Sequence, residues 1–119
     1  MATLSNLTSP ADLEAALAAP GLMMLDVYTQ ACMICRRVEP MVAAVADGSG
    51  GRVRAHKVDA ELLVDFAVRH NVQGVPTLLL FRDGRLIDRR SGFLTASALR
   101  EWIASVVGAE TFTDMLDGE

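Results

Sequence analysis

Leu22-Met23-Met24-Leu25-Asp26-Val27-Tyr28-Thr29-Gln30-Ala31-Cys32-Met33-Ile34-Cys35-Arg36-Arg37-Val38-Glu39-Pro40 decides the fold. Its first seven residues are almost continuously apolar, which suits a central strand covered on both faces. Over 35–46, Cys35, Val38, Val42 and Val45 recur at intervals of three and four, the stripe of a helix. Pro40 lies inside that helix and is expected to kink it. Cys32 and Cys35 are the only cysteines of the chain and stand where strand becomes helix. A Cys-x-x-Cys at such a junction is a dithiol/disulfide signature when the rest of the sheet is present. The spacing lets the sulfurs bridge, and the free N–H groups and dipole of the helix start stabilise the first thiolate. Cys32 is therefore the candidate nucleophile and Cys35 the resolving thiol.

Residues 3–7 read as a short edge strand. Ser9 and Pro10 supply an N-cap and a first-turn proline for a helix with Leu13, Ala16 and Leu17 inward. Pro20-Gly21 ends it. Past the loop at 48–51, residues 52–59 form a third strand. Residues 60–71 form a helix with Leu62, Leu63, Phe66 and Ala67 inward. Thr77 to Arg82 is an apolar strand, and Asp83-Gly84 turns it tightly into a partner over 85–90. A last helix over 95–107 carries Leu99, Trp102, Ile103 and Val106 on its buried side. The order is βαβαβαββα. Crossover helices demand parallel neighbours and the Asp-Gly turn one antiparallel pair, so the sheet is mixed, with about five strands flanked by four helices.

The 119 residues make one domain over 1–107 and an acidic tail over 108–119. Glu110, Asp114, Asp117 and Glu119 give that tail four acids and no base, and disorder is its expected state. A formal net charge of −4, with no basic run, argues against nucleic acid as a partner. No stretch reaches the length of a membrane span. Residues 1–6 lack the basic and apolar segments of a secretory leader, so a reducing, cytoplasmic compartment is expected. There a close cysteine pair is catalytic or metal-binding more often than structural. One Cys-x-x-Cys without a second pair at ligand spacing is a weak metal pattern, and no metal site is assigned to it, to His56 or to His70. Without a Gly-rich phosphate loop no nucleotide site is assigned either, and electrons must come from a separate partner.

Period-two alternation puts Met24, Asp26 and Tyr28 on one strand face, leaving Asp26 a carboxylate in an apolar setting. Burial raises the pKa of such a group or forces it to find a cation. Lys57, the only lysine, shares a face with Val53 and Ala55 of the next strand and is the expected partner. Asp26 and Lys57 are placed beneath the cysteine helix as a coupled pair, with Asp26 exchanging a proton with Cys35. A purely structural ion pair is the alternative.

Pro76 opens an apolar strand, where proline is confined to the first residue or to an edge. Gly74-Val75-Pro76-Thr77 completes the pattern with the Cys pair, Asp26, Pro40, Lys57-Val58-Asp59, Phe81-Arg82-Asp83-Gly84 and Gly92. Together these residues resemble the thioredoxin family over about 3–107. The resemblance implies the thioredoxin fold and a thiol–disulfide oxidoreductase that reduces protein disulfides through Cys32 and Cys35. It implies a cis Val75–Pro76 bond facing the dithiol and backbone pairing of Val75 with an extended substrate segment. Gly74 and Gly92 would line the same shallow groove. It further implies no cofactor beyond the Cys32–Cys35 disulfide, an NADPH-dependent thioredoxin reductase or another thiol donor as partner, and a monomer.

The family usually reads Trp-Cys-Gly-Pro-Cys, whereas this chain has Ala31-Cys32-Met33-Ile34-Cys35 and Tyr28 in place of a second tryptophan. Ile34 restores a backbone donor that proline lacks, which is expected to favour the Cys32 thiolate and make the dithiol more oxidising. Met33 and Ile34 add apolar surface for substrate contact. A rival reading keeps the fold as a binding or assembly module that holds client peptides without redox turnover. Met33-Ile34 and the tail fit it, but a buried Asp26 beneath a dithiol has no use there.

Overall fold

The computed structural model describes residues 4–108. Its elements are β1 (Ser5–Asn6), α1 (Pro10–Ala18), β2 (Leu22–Tyr28), α2 (Met33–Gly48), β3 (Val53–Asp59), α3 (Val64–Arg69), β4 (Thr77–Arg82), β5 (Arg85–Ser91) and α4 (Ala96–Val107). The strands form one mixed sheet in the order β1-β3-β2-β4-β5. Because β2 is apolar on both faces it takes the centre, parallel to β3 and antiparallel to β4.

The alternation along β2 divides the interior into two layers. Leu22 and Met24 join Leu78 and Leu80 against Val38, Val42 and Val45 of α2 and Leu99, Trp102 and Ile103 of α4. Met23, Leu25 and Val27 join Leu79 and Phe81 against Leu13 and Ala16 of α1 and Phe66 of α3. Asp26 has the parity of Met24 and so points to the α2 side.

Ser9 Oγ accepts the Asp12 N–H at 3.1 Å and Thr95 Oγ1 the Ala98 N–H at 3.1 Å, which caps α1 and α4. Asp83 and Gly84, at φ 53° and 81°, form the two-residue hairpin turn. A Cβ at Gly84 would lie 2.6 Å from the Leu17 carbonyl oxygen, so the close approach of α1 also demands glycine.

Two boundaries differ from expectation. β1 is only Ser5–Asn6, an edge strand too short for pairing beyond two positions of β3. Helix α3 starts at Val64 rather than at residue 60. Asp59 holds the preceding segment in a turn, its side chain accepting from the Glu61 N–H at 2.8 Å and its carbonyl from Leu62 and Leu63. Leu62 is consequently 55% exposed instead of facing the core, while Phe66 and Ala67 are buried as expected. Helix α2 runs through Pro40 as one element. The expected tail, Gly108 apart, lies outside the described residues.

Candidate functional site

Cys32 is the N-cap residue of α2, and its Sγ accepts the Cys35 N–H at 3.1 Å. That donor lies one residue beyond Ile34, from which the sequence expectation took it. The two cysteines are joined as a disulfide, with Cα atoms 5.3 Å apart. Their burial is unequal: Cys35 is 4% exposed whereas Cys32 is half-buried. Cys32 is therefore the more accessible of the two sulfurs to an incoming thiolate or disulfide.

Behind Cys35 lies a pocket of about 210 Å³ whose walls include Asp26, Tyr28, Arg36, Glu39 and Lys57. Asp26 is 1% exposed, and its Oδ1 has no hydrogen-bond partner. Its pKa is raised from the usual 3.8 to about 7, first by burial and then by the Glu39 carboxylate, with Lys57 opposing. Such an acid gains and loses its proton near neutrality, and it sits in the pocket that Cys35 also lines.

Asp26 and Lys57 face one pocket as expected, but no direct ion pair joins them. Lys57 stands opposite Asp26 in the β2–β3 register, but its Nζ is bonded to Glu39, 3.2 Å from Oε1 and 3.1 Å from Oε2. It also lies 5.2 Å from the centroid of the Tyr28 ring, within cation–π range. Lys57 and Glu39 keep 22% and 17% of their side-chain exposure, so their pairing at the pocket mouth retains water that a pair at Asp26 would forfeit. The sequence reading missed Glu39. A signal was present, an acid four residues past Cys35 and hence on the same helix side.

The Val75–Pro76 bond is cis, as the resemblance implied. The register pairs Val27 with Thr77 and Thr77 with Ser91, so the ends of β2 and β5 and the start of β4 lie together. Cys32, Pro76 and Gly92 thus share one end of the sheet. The Gly92 N–H donates to the Pro76 carbonyl at 3.0 Å, and Thr77 Oγ1 donates to the Gly74 carbonyl at 2.6 Å. Pro76 is buried, Val75 half-buried and Gly74 exposed. Met33 and Ile34 are 69% and 50% exposed. Phe93, a further exposed apolar residue absent from the expected set, packs beneath the Arg37 guanidinium of α2 at 5.2 Å. Met33 and Ile34 thus present exposed apolar surface directly after the half-buried Cys32. Neither histidine belongs to it: His70 stacks on Phe66 at the end of α3, and His56 lies on β3.

Comparison with known proteins agrees with this geometry. The thioredoxin family model matches residues 5–105. Thioredoxin C-2 of Corynebacterium nephridii is 28% identical over 102 residues, covering 86% of this chain and 94% of that protein. A Pseudomonas aeruginosa thioredoxin is 28% identical over 98 residues, covering 82% and 91%. Among solved structures, Fasciola hepatica thioredoxin superimposes with a TM-score of 0.76 at 31% identity, covering 87% of this chain and 99% of that one. A mutant thioredoxin of Halobacterium salinarum gives 0.78 at 26% identity, covering 87% and 90%. With the matched fold, the cis proline and a bridged cysteine pair at the head of α2, the chain belongs to the thioredoxin family and is a thiol–disulfide oxidoreductase.

Proposed function

We propose that the protein reduces disulfides of client proteins by a two-step exchange in which Cys32 attacks and Cys35 resolves. The Cys32 thiolate opens the client disulfide, forming a mixed disulfide and releasing one client thiolate. Cys35 then gives its proton to Asp26 and attacks Cys32 Sγ, which closes the internal disulfide and frees the second client sulfur. Two electrons pass from the dithiol to the client, and the bridged state of the structure is the product form. The observation that carries this reading is the unequal burial of the two sulfurs above the Asp26 pocket.

Met33, Ile34, Gly74, Val75, Pro76 and Gly92 form the client-binding rim in this reading. An extended client segment pairs with the backbone at Val75 and lays apolar side chains on Met33 and Ile34. Lys57 acts from the pocket by opposing the rise of the Asp26 pKa. The protein works as a monomer in a reducing, cytoplasmic compartment, with an NADPH-dependent thioredoxin reductase or another thiol donor returning the two electrons. It needs no cofactor besides its own disulfide. Among the described residues no helix is long and apolar enough to cross a membrane.

Reduction of insulin disulfides in the presence of dithiothreitol tests the reading. The wild type is expected to turn over and Cys35→Ser to lose at least about 100-fold in rate, the scale on which loss of a covalent participant is felt. An inactive wild type that still retains client peptides would instead favour a binding module.

A further inference from the structure

Glu39 has no part in the exchange as written, yet it is the group that occupies Lys57. It projects from α2 one turn beyond Cys35, holds Lys57 Nζ with both carboxylate oxygens, and accepts the Leu4 N–H on Oε2 at 2.7 Å. Asp26 faces the same pocket with Oδ1 unpartnered. We propose that Glu39 is a positioning residue of the redox site: by drawing Lys57 to itself it keeps Asp26 out of a direct ion pair, as an acid able to hold the Cys35 proton. The proposal rests on the reading that Asp26 serves Cys35.

The surroundings of Asp26 leave few other groups to set its charge. From α2 come Cys35, Arg36 and Glu39, from β3 Lys57, and from its own strand Tyr28. Strand β4 contributes no ionisable group opposite Asp26, its register partner being Leu78. Arg36 is exposed and donates to the Gln30 carbonyl at 3.4 Å. Lys57 is the nearest cation by register, and its bond to Glu39 decides how much of its field Asp26 receives. A permanently ionised Asp26 would be too weak a base to take the Cys35 proton and hold it. An acid poised near neutrality serves both the reduction of client and the reverse step, in which the reduced dithiol is restored.

The test is the titration of the Asp26 carboxyl carbon by NMR in the oxidised protein, which needs no turnover. Glu39→Gln keeps the side-chain shape and an acceptor for Leu4 while removing the charge. The Asp26 midpoint is expected to fall by about one pH unit or more, because a negative neighbour is lost and Lys57 is released. Glu39→Ala, which also drops the Leu4 bond, is expected to move it in the same direction. Adding Lys57→Met to Glu39→Gln is expected to bring the midpoint back up. An unchanged midpoint in both Glu39 variants, or an equal fall with and without Lys57, would overturn the proposal. Loss of insulin reduction in the wild type would count against the exchange mechanism alone and leave this titration result standing.

Discussion

Asp26 is the residue whose environment departs furthest from its chemistry. Folding lifts its pKa from 3.8 to about 7, so the folded chain binds that proton more tightly than the unfolded chain does. The associated stability is fully present below about pH 4 and is lost as the pH climbs through about 7. Asp26→Asn abolishes the titration while retaining most of the shape. Its stability relative to the wild type is therefore expected to rise between about pH 4 and about pH 8. At about 1.4 kcal/mol for each pH unit of displacement, the gain is at most on the order of 4 kcal/mol. Urea unfolding of the oxidised proteins at both pH values measures it, and an equal difference at the two would contradict the assigned burial cost. The sequence exposed Asp26 as an anomaly because one carboxylate interrupts an apolar alternation. It did not reveal where Lys57 would turn, since strand parity places both groups on one face but says nothing about a competitor arriving from α2. Only packing brings Glu39 over β3.

At the scale of elements, the head of α2 carries the chemistry. Its N-cap is Cys32, so the sulfur meets N–H groups that have no acceptor within the helix. The Cys35 N–H already reaches it at 3.1 Å, and the Ile34 N–H belongs to the same first turn. Ile34→Pro removes one donor at a position where a helix tolerates proline. The reduced thiolate loses stabilisation, and the dithiol potential is expected to become more reducing by on the order of 30 mV, equivalent to about 1.4 kcal/mol. Equilibration with glutathione measures this, and an unchanged potential would show that Ile34 contributes no donor to the thiolate. Most elements were readable from periodicity and turn chemistry, β2, α2 and the Asp83-Gly84 hairpin above all. The start of α3 was not. Its apolar residues continue the helical spacing back to Leu62, whereas the Asp59 side chain captures the Glu61 N–H and keeps that segment a turn. A side chain competing for backbone donors leaves no mark on hydrophobic periodicity.

For the whole molecule, the sheet order brings residues far apart in sequence to one end. Cys32 follows β2, Pro76 precedes β4, and Gly92 follows β5, and the two antiparallel pairings involving β4 align all three ends. The alternation of element types and the single tight hairpin made the mixed sheet deducible. The neighbour relation β3-β2-β4, which juxtaposes the dithiol with the cis proline, came only through resemblance to a known family. Phe93 went unnoticed because its exposure depends on how the segment after Gly92 meets Arg37 of α2. The proposed division of labour between the two sulfurs rests on this assembled end, where Cys32 is half-buried and Cys35 buried. Covalent trapping tests it most directly. Reduced Cys35→Ser is mixed with a disulfide-bearing client and the adduct is mapped by mass spectrometry, beside Cys32→Ser as its counterpart. A persistent mixed disulfide through Cys32, with little or no adduct in Cys32→Ser, is the predicted result. Equal trapping through Cys35, or no adduct in either variant, would contradict the account.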